Sequence, residues 1–143
     1  MAEAVEQARR ARDHAEVPIG AVVAIDGAIV GRGFNQPVAS GDPTAHAEIV
    51  AIRDAARTLG NYRLTGAVLC VTIEPCLMCV GAIVHARMAT LVYGAAEPRS
   101  GAVVSTMRGG ELPGHNHRFE IIGGIREAEC RELVQSFFRE RRA

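Results

Sequence analysis

The apolar run GAVLCVTI (66–73) leads directly into Glu74, Pro75 and two cysteines, Cys76 and Cys79. A continuous apolar run of this length is typical of a strand that is buried on both faces of a parallel or mixed sheet. The mostly apolar segment that follows, LMCVGAIVHAR (77–87), predicts a helix. The two thiols therefore stand where a buried strand gives way to a helix, and this junction constrains the fold more than any other feature of the chain.

The rest of the chain shows the same alternation of strand and helix patterns. Asp26-Gly27 between two apolar runs is a strong signal for a two-residue hairpin. The Gly-rich, poorly periodic segment 97–118 predicts loops with a short helix around 101–107. Further strands are predicted over 89–95 and 119–122, and further helices over 2–14, 45–58 and 125–142. Strands that alternate with helices indicate an α/β layered fold, and no linker or repeat divides the chain, so we expect one domain over 1–143.

Length and composition narrow the class of protein. A chain of 143 residues has the length of one domain and buries enough surface to fold without cross-links. No apolar run reaches the ~20 residues of a membrane span, and the charged N-terminus lacks the apolar core of a secretory signal, so we expect a cytoplasmic location. The net charge of zero gives no overall attraction to nucleic acid. In a reducing compartment a C-x-x-C pair is more often metal-binding or redox-active than part of a disulfide framework.

The best candidate for a third ligand is His46 in TAHAEI (44–49), where a polar loop becomes a helix. Cys76 and Cys79 stand at positions i and i+3 of the other helix start, so they project from one face of its first turn. The unpaired N–H groups and partial positive charge of a helix N-terminus favour thiolate over thiol. One imidazole and two thiolates are zinc-type ligands, and three protein ligands leave a fourth position for water, which indicates a catalytic site.

Glu48 supports the catalytic interpretation. Its offset of two residues from His46 is awkward for a second ligand from a regular helix, but it suits proton exchange with water at the metal. The alternatives are a redox pair or half of a structural zinc site, although the chain has no second C-x-x-C to complete a four-cysteine site. Cys70 and Cys130 lie in apolar patterns, where buried structural thiols are expected.

The combination H-x-E with P-C-x-x-C is the signature of zinc-dependent base deaminases. With EVPIGAVV, DPTAHAEI, NYRL, HNHR and FFR in the same order, the sequence resembles the bacterial tRNA-specific adenosine deaminases of the cytidine and deoxycytidylate deaminase superfamily nearly from end to end. The resemblance implies a three-layer α/β fold, with a five-stranded mixed sheet flanked by helices, assembled as a homodimer. It implies hydrolytic deamination of adenosine to inosine at the wobble position of an arginine tRNA anticodon. It also implies one zinc ion per chain on His46, Cys76 and Cys79, with Glu48 as the proton shuttle.

The resemblance further implies contacts with the tRNA anticodon stem-loop from Asn35, Ala47, Glu97, Phe137 and Arg141. Glu97 departs from the family pattern, which usually has an aspartate at this position. Two other functions stand beside the tRNA deaminase. A free-base guanine or cytosine deaminase shares the metal motif, and a zinc-stabilised RNA-binding module would use the metal without catalysis. Glu48 argues against the module, because a purely structural site has no use for a carboxylate beside an open metal position.

Overall fold

Strands and helices alternate along the chain in the computed structural model, which describes residues 1–143. The strands are β1 (Gly20–Ile25), β2 (Ala28–Phe34), β3 (Val68–Ile73), β4 (Thr90–Ala95) and β5 (Glu120–Ile122). The helices are α1 (Ala2–Asp13), α2 (Pro37–Ser40), α3 (Ala47–Leu59), α4 (Leu77–His85) and α5 (Glu127–Arg142), and a short 3₁₀-helix covers Gly109–Glu111. None of the helices combines the length and the apolar character needed to cross a membrane.

The five strands form one sheet in the order β2-β1-β3-β4-β5. β1 pairs antiparallel with β2 and with β3, whereas β3 with β4 and β4 with β5 are parallel pairs. Asp26 and Gly27 form the turn between β1 and β2, and both have positive φ, as a tight hairpin turn requires. The predicted five-stranded mixed sheet is confirmed.

Helices cover both faces of this sheet. α1 and α5 contact each other on one face, and α3 and α4 contact each other on the other. The larger core lies under α3 and α4 and includes Leu69, Val71, Ile83 and Leu91. Cys70 and Cys130 are buried on the opposite face, as predicted. The three layers explain why β3 and β4 carry nearly continuous apolar sequence.

α3 lies very close to β2. Ala47, Ala51 and Ala55 on the inner side of the helix are fully buried. A Cβ atom at Gly33 would lie 2.4 Å from the Ala47 carbonyl oxygen, and one at Gly31 would lie 2.4 Å from the Ala51 carbonyl oxygen. Only glycine leaves room for this approach, so Gly33 sets the height of the first turn of α3 above the sheet, and Gly31 sets that of the turns that follow.

Two local predictions differ from the structure. The helix predicted around 101–107 is wrong, because residues 102–106 form turns whose backbone amides at Val103, Val104 and Ser105 donate to the Glu74 carboxylate. Backbone amides that donate to a distant carboxylate are not available for the hydrogen bonds of a helix. α2 lies in a segment predicted as polar loop; it begins at Pro37 and ends at Ser40, and the next residue, Gly41, has φ 62°. Four residues are too few to show a helical period.

Candidate metal centre and active site

Two helix N-termini meet on the same face of the sheet. His46 is the residue that precedes α3, and Cys76 is the residue that precedes α4; both have extended backbone conformations there. Cys79 lies in the first turn of α4 and is fully buried. Because α3 and α4 pack side by side, residues separated by thirty positions in sequence come together at their N-terminal ends.

The three side chains form a compact donor set. The Nδ1 atom of His46 lies 3.6 Å from the Cys76 sulfur and 3.6 Å from the Cys79 sulfur. All three potential ligand atoms lie within 4.8 Å of one another. A nitrogen and a sulfur bound to one tetrahedral zinc ion would stand about 3.5 Å apart, given Zn–N and Zn–S bonds of about 2.0 and 2.3 Å. The residues therefore fit zinc in both donor type and spacing.

The charge of the site supports the same conclusion. Hydrogen bonds from Cys79 and His46 lower the pKa of Cys76 to about 4, despite its partial burial. The same contact with Cys76, together with burial, raises the pKa of Cys79. The hydrogen bond to Cys76 also raises the pKa of His46, although burial opposes this shift. One thiol thus ionises readily while its neighbour resists a second negative charge, and a divalent cation removes that conflict.

Glu48 is buried beside this donor set, with 4% of its surface exposed. It lies in the first turn of α3 and does not belong to the group of ligand atoms. Burial raises its pKa to about 7, against the lowering effects of its own backbone amide and of the His46 imidazole. A carboxyl group that titrates near neutrality can both accept and release a proton, as general acid–base chemistry requires.

Asn35 and Ala47 lie next to the segment that carries His46. Asn35 follows β2 directly and is 8% exposed, and the next residue, Gln36, donates its backbone N–H to the Ala45 carbonyl oxygen at 3.0 Å. This bond holds the end of β2 against the segment that carries His46. Ala47 is the first residue of α3 and is fully buried. Their contact with a substrate stays a prediction.

Glu97 is half-buried just after β4. Its carboxylate accepts a hydrogen bond from the Arg99 backbone N–H at 2.9 Å. It lies at one end of a groove of about 580 Å³, whose other lining residues are Arg99, Val134, Gln135, Phe138, Arg139 and Arg142. Three arginines and one glutamate line the groove, so its charge is basic, which the neutral total charge of the chain conceals.

Phe137 is buried, and the exposed side chain of Arg141 is held against it. Phe137 is 4% exposed, and the Arg141 guanidinium stacks over its ring at 4.4 Å. Arg141 also donates to the Ala15 carbonyl oxygen at 2.6 Å. Phe138, by contrast, is 42% exposed and lines the groove. A role for Phe137 and Arg141 in RNA contact stays a prediction, and the structure shows more accessible side chains on the same helix.

Sequence reasoning missed one residue that organises the site. Glu74 is 3% exposed and accepts hydrogen bonds from the segment 97–105. Burial alone would raise its pKa, but the Ser105 hydroxyl and the backbone amides outweigh burial and hold the pKa below its usual value. An acidic residue at the end of an apolar strand is the only sequence signal for this role, because its partners lie 23 to 31 positions away.

Comparison with known proteins agrees with the geometry. The cytidine and deoxycytidylate deaminase zinc-binding region matches residues 1–95. A tRNA-specific adenosine deaminase of Agrobacterium fabrum is 46% identical over 139 residues, which cover 97% of this chain and 91% of the relative.

Two solved structures are also similar. One, from work on A-to-I editing by tRNA:A34 deaminases at the wobble position of transfer RNA, has a TM-score of 0.91 and 45% identity, and covers 94% of this chain and 97% of its own. A guanine deaminase of Bacillus subtilis has a TM-score of 0.63 and 43% identity, but covers only 66% of this chain and 61% of its own.

Proposed function

The chain belongs to the cytidine and deoxycytidylate deaminase family, among the tRNA-specific adenosine deaminases, and we propose that it converts adenosine to inosine at the wobble position of a tRNA anticodon. Arginine tRNA is the proposed substrate on the basis of the resemblance. The observation that supports catalysis is the placement of the His46 nitrogen 3.6 Å from both cysteine sulfurs, with the Glu48 carboxyl buried beside them. A structural zinc site has no need of such a carboxyl.

In this mechanism His46, Cys76 and Cys79 hold one zinc ion per chain. When bound, the ion supplies the Lewis acidity that makes water nucleophilic near neutral pH. Glu48 takes one proton from the attacking water and delivers it to the ring nitrogen beside C6 of adenine. It then takes the remaining proton of that oxygen and delivers it to the leaving amino group. The water oxygen becomes the carbonyl oxygen of inosine, and the amino group leaves as ammonia. Glu48 thus carries every proton transfer that the reaction needs.

The substrate must present an accessible base to this buried centre. A wobble base in an anticodon loop is unpaired, so extruding it costs much less than extruding a base from a duplex. Asn35 and Ala47, next to the segment that carries His46, form the proposed base pocket. Glu97, Phe137 and Arg141 are the proposed contacts with the rest of the loop, and the basic groove beside α5 suits its phosphates.

We also propose that residues 1–143 form one deaminase domain that assembles as a homodimer in the cytoplasm, where tRNA is found. An apolar groove of about 360 Å³ lies between α3 and α4, and Ile49, Ile52, Ala56 and Ala82 contribute to it. Leu77 and Met78 on α4 are 45% and 39% exposed, which is typical of apolar side chains that a second copy covers. Sedimentation of the purified protein tests the dimer directly.

Three substrates separate the candidate activities. The purified protein is incubated with an anticodon stem-loop that carries adenosine at the wobble position, with free guanine and with free cytosine, and ammonia and the product base are measured. Inosine in the stem-loop, without loss of either free base, is the expected result. Conversion of guanine alone would instead favour the guanine deaminase activity of the Bacillus subtilis neighbour. Tight stem-loop binding without any conversion would support the RNA-binding module.

A further inference from the structure

Glu74 has an environment that general stability does not explain. Its carboxylate is 3% exposed, and its partners are all main-chain amides or the Ser105 hydroxyl, with no arginine among them. Taking an ionised carboxylate out of water is costly unless several hydrogen bonds replace its hydration. An apolar side chain of similar size would fill the same space without that cost. The Glu74 carboxylate therefore has a specific role: its oxygens accept hydrogen bonds that hold one conformation of the main chain, which an apolar side chain could not do.

That conformation belongs to residues 97–105, which we call the Glu97 loop. Oε1 of Glu74 accepts from the backbone N–H groups of Val103, Val104 and Ser105 at 3.1, 2.8 and 2.9 Å. Oε2 accepts from the backbone N–H of Glu97 at 3.0 Å and from the Ser105 hydroxyl. The Glu97 loop has no strand or helix of its own, so this one carboxylate binds both of its ends.

The interior of the loop is shaped around the same side chain. A Cβ atom at Gly101 would lie 2.4 Å from Oε2 of Glu74, so the carboxylate occupies the space inside the loop. The Glu97 carboxylate in turn accepts from the backbone N–H of Arg99, and both residues line the basic groove beside α5. One hydrogen bond thus joins the buried Glu74 carboxylate to Glu97, and a second joins Glu97 to Arg99. These two bonds connect Glu74 with the residues that line the groove.

The metal site is held in place by other contacts. The backbone N–H of Glu74 bonds the Ala95 carbonyl oxygen at 2.8 Å, which extends the pairing of β3 with β4. Cys76 begins α4, and its carbonyl oxygen accepts from Val80 at 3.0 Å. A third main-chain bond joins the Ala102 N–H to the Pro75 carbonyl oxygen at 2.8 Å. The main chain around Cys76 thus depends on the sheet, on α4 and on this bond, and none of the three involves the Glu74 side chain.

We propose that Glu74 is a positioning residue for RNA selection, whose carboxylate holds the Glu97 loop in the conformation that presents Glu97 and Arg99 to the anticodon stem-loop. This inference rests on the proposed function. Glu74 acts through the loop and touches neither the substrate nor the metal. Its loss therefore weakens substrate binding while the chemical step at Glu48 and the zinc site persist.

The test is Glu74→Gln, which keeps the shape of the side chain but turns one acceptor into a donor that faces main-chain amides. Removing a buried charged acceptor typically lowers binding or stability enough for a change of roughly ten- to a hundredfold in an equilibrium constant. We expect KM for the stem-loop to rise by about this factor with little change in kcat, and we expect zinc content to stay at the wild-type level. Glu120→Gln is the matched control, because Glu120 is exposed on β5, and it should leave KM unchanged.

A double-mutant cycle separates positioning from a general loss of stability. If Glu74 acts through Glu97, then Glu74→Gln adds much less to KM in a Glu97→Ala background than in the wild type. Hydrogen exchange gives a readout that needs no activity: the amides of Val103, Val104 and Ser105 should exchange about tenfold faster in Glu74→Gln, because their acceptor is weakened. Exchange in β3 should not change.

Each other outcome overturns the inference in a recognisable way. An unchanged KM in a variant with lower thermal stability makes Glu74 a purely structural residue. Loss of zinc places its effect at the metal site, and equal additions to KM in both backgrounds remove Glu97 from the path. A wild-type protein that neither binds nor converts the stem-loop refutes the proposed function itself, together with this inference.

Discussion

The guanidinium of Arg141 lies 4.4 Å from the centre of the Phe137 ring and donates to the Ala15 carbonyl oxygen at 2.6 Å. Arg141 therefore ties the end of α5 to the turn that follows α1. The C-terminal arginines are not equivalent: Arg139 forms an ion pair with Glu132, whereas Arg142 points toward the groove that Glu97 and Arg99 also line. Arg141 is thus bonded within the protein, in addition to its proposed contact with RNA, whereas Arg142 forms no ion pair.

The different contacts of Arg141 and Arg142 predict different effects on stability when each is substituted by alanine. Arg141→Ala removes a cation–π contact and a hydrogen bond, so the free energy of unfolding should fall by about 1 kcal/mol. For a domain of this size that corresponds to a decrease of roughly 3 °C in Tm. Arg142→Ala, the matched control with the same charge change, should leave Tm within about 1 °C of the wild type. Equal Tm values for the two variants would show that the Arg141 contacts add nothing to stability.

The metal centre is tested by removing one donor. Cys79→Ser should lose its zinc, because a neutral hydroxyl replaces a thiolate in a set of only three protein ligands. Elemental analysis should find about one zinc per wild-type chain, as a three-ligand site implies. Cys70→Ala is the control, since Cys70 is buried on the opposite face of the sheet, and it should keep the metal. Full zinc retention in Cys79→Ser would remove Cys79 from the ligand set.

Glu48 is tested by a substitution that keeps its size. Glu48→Gln cannot carry a proton, so turnover of the stem-loop should fall by about 10²- to 10⁴-fold. Zinc content should not change, because the carboxylate lies outside the group of ligand atoms. Near-normal turnover would mean that another residue moves the protons, and a variant without zinc would make Glu48 a ligand.

The packing of α3 on β2 predicts that the site depends on two glycines. Gly33→Ala would place a methyl group 2.4 Å from the Ala47 carbonyl oxygen, and the helix must move to accept it. Overpacking of this kind costs about 1–3 kcal/mol, and the movement displaces the turn that holds His46 and Glu48. Chemical denaturation measures the loss of stability, and stem-loop turnover should fall as well.

Gly114→Ala is the matched control for this substitution, because nothing lies within 4 Å of a Cβ atom there. It should be neutral in both measurements. A Gly33→Ala protein as stable as Gly114→Ala would show that α3 has room to shift without cost.

Much of this fold is local in origin, and those parts were predicted. The buried strand before Pro75 and the hairpin at Asp26-Gly27 follow from patterns of a few residues, and both are confirmed. The grouping of His46 with Cys76 and Cys79 was also predicted, because each of the two ligand motifs stands at a helix start that can be recognised from its own sequence. The five-stranded mixed sheet was predicted from the family resemblance, because no local pattern encodes which strands pair.

The parts that escaped prediction depend on contacts between distant positions. The turns at 102–106 exist because Glu74, about thirty residues earlier, accepts their amides. A pattern within the segment cannot show an acceptor outside it. The bond from Arg141 to Ala15 was not predicted either, because it joins positions that are 126 residues apart, and the RNA contact of Arg141 stays a prediction. Both cases show side chains whose main partner is the protein itself.

The last prediction concerns the basic groove and salt. Arg99 and Arg142 line the groove, and neither side chain has an acidic partner, so both are free to neutralise phosphates. Each phosphate contact contributes about 0.7–0.9 to the slope of log affinity against log salt. Arg99→Ala and Arg142→Ala should therefore each weaken stem-loop binding and reduce that slope by about this amount, measured by titration at several salt concentrations. Arg9→Ala removes the same charge from α1, where Arg9 is paired with Glu6, and it should leave the slope unchanged. Equal slopes in all four proteins would show that the anticodon phosphates lie elsewhere on the protein.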